Sequence, residues 1–182
     1  MNVCLDVHYR GDEASVAGVY FRAWSDDVAT ETVTARIEGI EPYEPGHFYK
    51  RELPCLMAVL ERAVDPLEAV VVDGYVWLDE RMSPGLGARL HEALRRVVPV
   101  IGVAKTAFKS AAPVSVPVAR GTSSRPLFVT AAGVDVREAA AKVAAMHGRH
   151  RVPTLLKLVD RLSRQGAYGH SPGGGGPPGT RL

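Results

Sequence analysis

The sequence predicts one α/β domain, a mixed sheet sandwiched between helices, and two observations carry that expectation. The first 37 residues hold three segments of alternating apolar residues separated by short turns. The rest of the chain alternates helix-period segments with short, continuous apolar runs of the kind that form strands buried on both faces.

Residues 2–9 place Val3, Leu5 and Val7 on one face and Cys4, Asp6 and His8 on the other, which is strand periodicity. The turn signal Gly11-Asp12 precedes a second strand over 15–24. Ser25-Asp26-Asp27 separates it from a third over 30–37, rich in Thr and Val. Three strands joined by short turns predict an antiparallel meander. The period then changes, because Leu53, Leu56, Met57, Leu60 and Val64 share one face of a helix, with Pro54 expected in its first turn. Residues 69–72 form a buried strand that stops at Asp73-Gly74. Leu86, Leu90, Leu94 and Val97 mark a second helix, and residues 100–104 another buried strand. A strand over 127–131 leads to a helix opened by the capping box Asp135-x-x-Glu138. A last helix, capped by Thr154, buries Leu155, Leu158, Val159 and Leu162. Residues 165–182 contain ten Gly or Pro among eighteen and no apolar periodicity, so the domain is expected to end at 164 and the tail to be disordered.

Length and composition agree with one soluble domain: 182 residues, 46% apolar and 23% charged. No apolar run approaches the ~20 residues that cross a bilayer. Met1 leads straight into a strand pattern rather than a charged-then-apolar leader. Two cysteines, Cys4 and Cys55, are too few for a disulfide framework or a cysteine-based zinc site. The expectation is therefore a cytoplasmic protein with no membrane partner. The net charge of +2 conceals an asymmetry. Residues 1–102 carry 10 Lys and Arg against 17 Asp and Glu, a net −7, whereas residues 103–164 carry 11 against 3, a net +8. Carboxylates that hold a metal beside basic groups that hold a polyanion would produce such a split, and so would an uneven solvated surface.

In a sheet of this order Asp6, on the first strand, and Asp73, at the carboxyl end of the fourth, become neighbours. Paired carboxylates raise each other's pKa unless a cation bridges them, and Mg²⁺ or Mn²⁺ prefers such oxygen ligands. Glu52, at the head of the first helix, and Asp160, on the last, are candidates to complete the set.

Blocks running through these same positions resemble the endonuclease V family. They are Cys4-Leu5-Asp6-Val7-His8-Tyr9, Pro42-Tyr43-Glu44-Pro45-Gly46 with Arg51-Glu52-Leu53-Pro54, Val72-Asp73-Gly74, Gly85-Leu86-Gly87 and Ile101-Gly102-Val103-Ala104-Lys105. The order and spacing match from Leu5 to about Arg164. The resemblance implies a ribonuclease H-like fold, a mixed five-stranded central sheet with helices on both faces. It also implies a Mg²⁺-dependent endonuclease, Mn²⁺ being an alternative ion. Such an enzyme recognises deaminated purine, chiefly inosine, in DNA or RNA and cuts a phosphodiester on its 3′ side.

Carried over by position, Asp6, Glu52 and Asp73 match the acidic catalytic and metal-holding residues. Asp160 matches a fourth position that is Asp or His, and Lys105 matches an active-site lysine. Tyr43, between Pro42 and Pro45, matches a wedge that fills the gap left by a flipped-out base. Gly46, Gly74, Tyr75 and Gly85 fall in blocks expected to meet nucleic acid, and Lys105, Lys157 and Arg161 supply basic contacts to its backbone.

The chain departs from the family in three places. Many members read Asp-Gly-His-Gly where this chain reads Asp73-Gly74-Tyr75-Val76-Trp77-Leu78-Asp79. A second family histidine is replaced by Val134, and the chain reaches Asp6 without the helix that precedes it in the family. Loss of two polar groups, with apolar bulk from Val76 and Trp77, predicts a base pocket with weaker inosine preference or a preference for otherwise damaged or distorted bases. It also leaves open a nucleic-acid-binding protein of the same fold with altered lesion specificity or lost turnover. A zinc deaminase is excluded, since neither His-x-Glu nor Pro-Cys-x-x-Cys occurs. Gly85-Leu86-Gly87 lacks the third glycine of a dinucleotide fingerprint, so no organic cofactor is expected.

Overall fold

A computed structural model describes residues 1–39 and 49–166. The meander is present. Strand β1 (Asn2–Arg10) pairs antiparallel with β2 (Glu13–Phe21), and β2 with β3 (Glu31–Ile37). β2 stops at Phe21 rather than running to Trp24, because the Asp26 carboxylate accepts the amides of Arg22 and Ala23 and turns the chain.

Helix α1 (Tyr49–Leu60) leads to β4 (Ala69–Asp73), helix α2 (Leu86–Ala93) and β5 (Val100–Ala104). A 3₁₀ turn (Lys109–Val114) precedes β6 (Val116–Val118), β7 (Leu127–Ala132), α3 (Val136–Ala145) and α4 (Thr154–Gly166). β4 lies parallel to both β1 and β5, while β7 runs antiparallel to β5 and β6. The sheet order is β3-β2-β1-β4-β5-β7-β6.

The sheet has seven strands, against the five that the family resemblance implies and the six that the periodicity marks out. The additional edge strand β6 is three residues long and centred on Pro117, a residue that an edge tolerates and a strand pattern argues against. Pro54 is the sixth residue of α1 rather than in its first turn. It sits on the exposed face, so the hydrogen bond it cannot donate is lost beside solvent and not in the core. α1 ends before Val64, which is 89% exposed. α2 ends before Val97, 78% exposed, because Arg95 and Arg96 take left-handed φ values of 55° and 59°. Asp135 caps α3 through the amides of Arg137 and Glu138, but the Glu138 carboxylate pairs with Lys142 at 2.7 Å instead of reaching back. Thr154 is the first residue of α4 rather than its cap, and its hydroxyl meets His147 Nδ1 at 3.0 Å. α4 extends two residues past the expected boundary; the tail expected to be disordered otherwise lies outside the described residues.

Two apolar layers hold the sheet. Val3, Leu5, Val70, Val72 and Val100 pack with Leu56, Val59 and Leu90 of α1 and α2. Cys4, Val19, Val71, Ile101 and Val129 pack with Val143, Leu155 and Val159 of α3 and α4. Cys4 and Cys55 are buried free thiols in opposite layers. The buried guanidinium of Arg120 donates to the carbonyls of Val143, Ala144, Met146 and Gly148 and so closes the C-terminal end of α3. Among the described residues, no helix is long and apolar enough to cross a membrane.

Candidate active site at the carboxyl ends of β4 and β5

The alternation of β1 turns Leu5 toward α1 and sends Asp6 to the opposite face, where α4 lies. There the Ser163 hydroxyl donates to Asp6 Oδ2 at 2.5 Å. Asp73 is the last residue of β4. Gly74 follows it with φ +111°, a left-handed backbone that lets the chain leave the strand at once. Lys105 follows the end of β5, which puts its ammonium 2.6 Å from Asp73 Oδ2 and 3.9 Å from Asp160 Oδ1. Asp160 is held from the other side by Arg164, whose Nε and a terminal nitrogen each lie 3.1 Å from a carboxylate oxygen. One narrow cleft is lined by Asp6, Asp73, Lys105 and Asp160 above apolar Leu127, Leu156 and Val159.

Glu52 comes from the first turn of α1, in the layer opposite α4. Burial, then the charges of Asp6 and Asp73, push its carboxyl up to about 8, against the pull of Arg51. Asp6 is raised in the same way, chiefly by burial and in part by Asp73 and Asp160, while the Ser163 hydroxyl opposes the shift. Lys105 stays above its ordinary value: burial pulls it down, but the Asp73 hydrogen bond and the three acidic charges outweigh burial. Carboxylates from β1, β4, α1 and α4 therefore share one electrostatic site. Among the described residues no three acidic, His or Cys groups stand close enough to form a ready-made metal cluster.

Not every sequence expectation falls in this cleft. Pro42, Tyr43, Pro45 and Gly46 lie outside the described residues. Lys157 and Arg161 are exposed on the outer side of α4. Gly85 serves packing, since a Cβ there would meet the Tyr75 carbonyl at 2.4 Å. Val76 is fully buried in the layer with α1 and α2, and the Trp77 indole donates to the Ala131 carbonyl at 2.9 Å, so neither side chain lines this cleft. Val134 packs against the opposite layer.

Two residues that the sequence did not flag matter here. Arg151 donates to the Lys105 carbonyl and, at 2.9 Å, to that of Pro126, tying β5 to β7 beside the site. Ser163 had a readable signal, a hydroxyl at the i, i+4, i+8 spacing from Leu155 and Val159 on the apolar face of α4.

A family model for Endonuclease V matches residues 2–161. The chain belongs to the Endonuclease V family. A curated Endonuclease V from Streptomyces avermitilis is 33% identical, covering 88% of this chain and 78% of that protein; one from Streptomyces coelicolor is 31% identical, covering 75% and 65%. The crystal structure of the Streptomyces avermitilis Endonuclease V superposes with a TM-score of 0.73 at 27% identity, covering 91% of this chain and 80% of that one. An Endonuclease V from Ciona intestinalis, in complex with a 24mer DNA containing an inosine followed by a ribo-adenosine, shares the fold. Its TM-score is 0.73 at 17% identity, covering 92% and 85% of the two chains. Membership makes this chain a nuclease, with the mixed α/β architecture of Endonuclease V structures.

Proposed function

We propose that this chain is a Mg²⁺-dependent endonuclease, with Mn²⁺ able to substitute, that hydrolyses a phosphodiester near deaminated purine, chiefly inosine, in DNA and on related RNA. The observation that carries this reading is the convergence of Asp6, Glu52 and Asp73 with Lys105 at one end of the sheet of an Endonuclease V family member. The partner implied by the Ciona relative, inosine-containing DNA, fits a site that pairs carboxylates with a lysine.

The donor set suits a hard divalent cation. Its atoms are carboxylate oxygens, burial and then the charges of Asp6 and Asp73 keep Glu52 protonated near neutral pH, and the Lys105 ammonium already sits against Asp73 as the cluster's cation. Asp6, through the oxygen not committed to Ser163, and Asp73 and Glu52 would hold the ion. A bound divalent cation lowers the pKa of water and offsets charge developing on the phosphate. Lys105, beside Asp73 and Asp160 in the same cleft, would pair with a non-bridging phosphate oxygen. Asp160, fixed by Arg164, keeps the lysine's end of the cleft negative and so holds it charged. Tyr43 fills the gap left by the displaced base, with backbone contacts from Lys157 and Arg161.

The rival reading, binding without turnover, rests on the altered residues 75–79. Those residues leave the carboxylates intact: Val76 and Trp77 pack inward, and the Asp79 carboxylate accepts the amides of Arg81 and Ser83 in its own turn.

The test is a nicking assay on inosine-containing and plain oligonucleotides, with Mg²⁺ and with chelator. Cleavage that needs the ion, favours inosine, and falls at least ~100-fold in Asp6→Ala and Asp73→Ala while both keep their circular dichroism is the expected result. Undiminished cutting by either variant removes that residue from the centre.

A further inference from the structure

We infer that Tyr75 is a positioning residue for Lys105: its hydroxyl locks the backbone immediately after the lysine, and thereby fixes where the ammonium can reach. The inference rests on the reading of Lys105 as the group that meets the phosphate.

The argument begins with the lysine. A four-carbon stem with an ammonium at its end is placed only as well as the backbone that carries it. Behind Lys105, β5 is a buried strand in register with β4 and β7. Ahead of it, residues 105–108 form no helix or strand, and this stretch would be the loosest part of the site.

Two side chains hold it. Arg151 donates to the Lys105 carbonyl. The Tyr75 hydroxyl donates to the Thr106 carbonyl at 2.9 Å and accepts the Phe108 amide at 3.0 Å, so one oxygen spans the loop. The Tyr75 and Phe108 rings add a tilted contact with centroids 6.0 Å apart.

Tyr75 can do this because its own backbone is fixed on both sides. The Gly74 amide donates to the Val103 carbonyl at 3.2 Å, and the Val76 amide to Thr130 Oγ1 at 2.8 Å. The phenol is thus delivered from the end of β4, next to Asp73, onto the loop after β5, and links the two residues that form the 2.6 Å ion pair. With its proton given to Thr106 and its oxygen accepting from Phe108, the hydroxyl is committed to the protein. Its role is to orient the lysine, not to read a base. A shorter side chain at position 75 cannot span the same gap with one atom, which makes the tether a property of this sequence.

The test uses Tyr75→Phe, which keeps the ring and removes only the hydroxyl, alone and combined with Lys105→Ala. On an inosine oligonucleotide with Mg²⁺, Tyr75→Phe should lower kcat about tenfold with KM unchanged within about twofold, since misplacement of a reacting group by ~1 Å costs up to ~100-fold. In the Lys105→Ala background the same substitution should change kcat by less than about twofold, because a residue acting through the lysine has nothing left to act on.

Hydrogen exchange at the Phe108 amide gives a readout independent of catalysis and should accelerate in Tyr75→Phe. An equal kcat loss in both backgrounds, or unchanged kcat in Tyr75→Phe, overturns the inference, as does unchanged exchange at Phe108. A wild-type protein that cuts no inosine substrate would instead overturn the proposed function, leaving the tether to be judged by the exchange measurement.

Discussion

Ser163 and Asp6 are 157 positions apart in sequence, yet the serine hydroxyl lies 2.5 Å from Asp6 Oδ2 and also 2.9 Å from the Asp160 carbonyl. A hydroxyl has one proton to give, and an ionised carboxylate is the stronger acceptor, so Ser163 spends it on Asp6. One oxygen of Asp6 is thereby held against α4, and the other is the one that the proposed function assigns to the cation.

Ser163→Ala should therefore weaken divalent-cation binding, because groups that orient a metal-holding carboxylate are typically worth ~10–100-fold in affinity. Calorimetric titration of Mg²⁺ into the variant, and the Mg²⁺ concentration for half-maximal cleavage, should both shift by at least about tenfold. Binding to plain DNA in chelator should stay as in the wild type. An unshifted Mg²⁺ titration contradicts the assignment.

Glu52 predicts a pH dependence of stability with a definite sign. Its folded-state carboxyl lies at about 8 against an unfolded value of 4.5, so the folded state binds more protons between those limits. Without divalent cation, the protein should lose stability as pH rises through that window and level off above it. Asp6, raised for the same chief reason, acts in the same direction. Glu52→Gln removes the buried charge and should flatten the loss, giving a higher melting temperature than wild type at pH 8.5 in chelator, while cleavage is lost. A wild-type melting temperature that rises between pH 5 and 8 in chelator would show that the Glu52 carboxyl is not strained by its neighbours.

What the sequence made legible follows the range of the forces involved. The meander, the buried strands β4 and β5, the apolar faces of α1, α2 and α4 and the start of α3 were readable, because alternation, helical period and caps are local records of which side meets the core. Asp6 and Asp73 were readable because strand ends and strand faces are fixed by the same local pattern. β6 was not, since three residues around Pro117 carry no periodicity. The packing of Val76 and Trp77 was not legible, because an apolar residue after a strand end fits a pocket and a core equally well until the loop's path is known. Arg120, Arg151 and Ser163 act through partners tens of residues away, on elements whose proximity only the sheet order creates.

Arg120 is the clearest of these long-range devices, and its removal should cost stability without touching the chemistry. Its two terminal nitrogens serve carbonyls of Val143, Ala144, Met146 and Gly148, at 2.6 to 3.0 Å. Arg120→Met keeps the volume of the stem but leaves those carbonyls unserved, at a cost of about 3 kcal/mol when buried acceptors lose a charged donor. At ~2–4 °C per kcal/mol for a chain of this size, melting should fall by roughly 6–12 °C. Arg120→Lys should recover little, since one ammonium cannot reproduce the fork. A melting temperature within about 2 °C of wild type for Arg120→Met would show that water serves these carbonyls as well.

Trp77 separates scaffold from specificity. The sequence placed it in a base pocket, where its bulk would relax discrimination between inosine and ordinary purines. The structure gives its indole N–H to the Ala131 carbonyl at 2.9 Å, pairs its backbone with Pro84, and sets its ring beside Met82, Ala88 and His91, in a groove distinct from the acidic cleft. Trp77→Phe should then act as a packing change, losing one hydrogen bond worth about 1 kcal/mol and part of a buried ring. The melting temperature should fall by a few degrees, while the ratio of cleavage rates on matched inosine and adenosine oligonucleotides stays within about twofold of wild type. That ratio is the decisive quantity, because a loss of stability lowers both rates together, whereas a residue that touches the base changes one more than the other. A ratio shifted tenfold or more would place Trp77 at the base pocket.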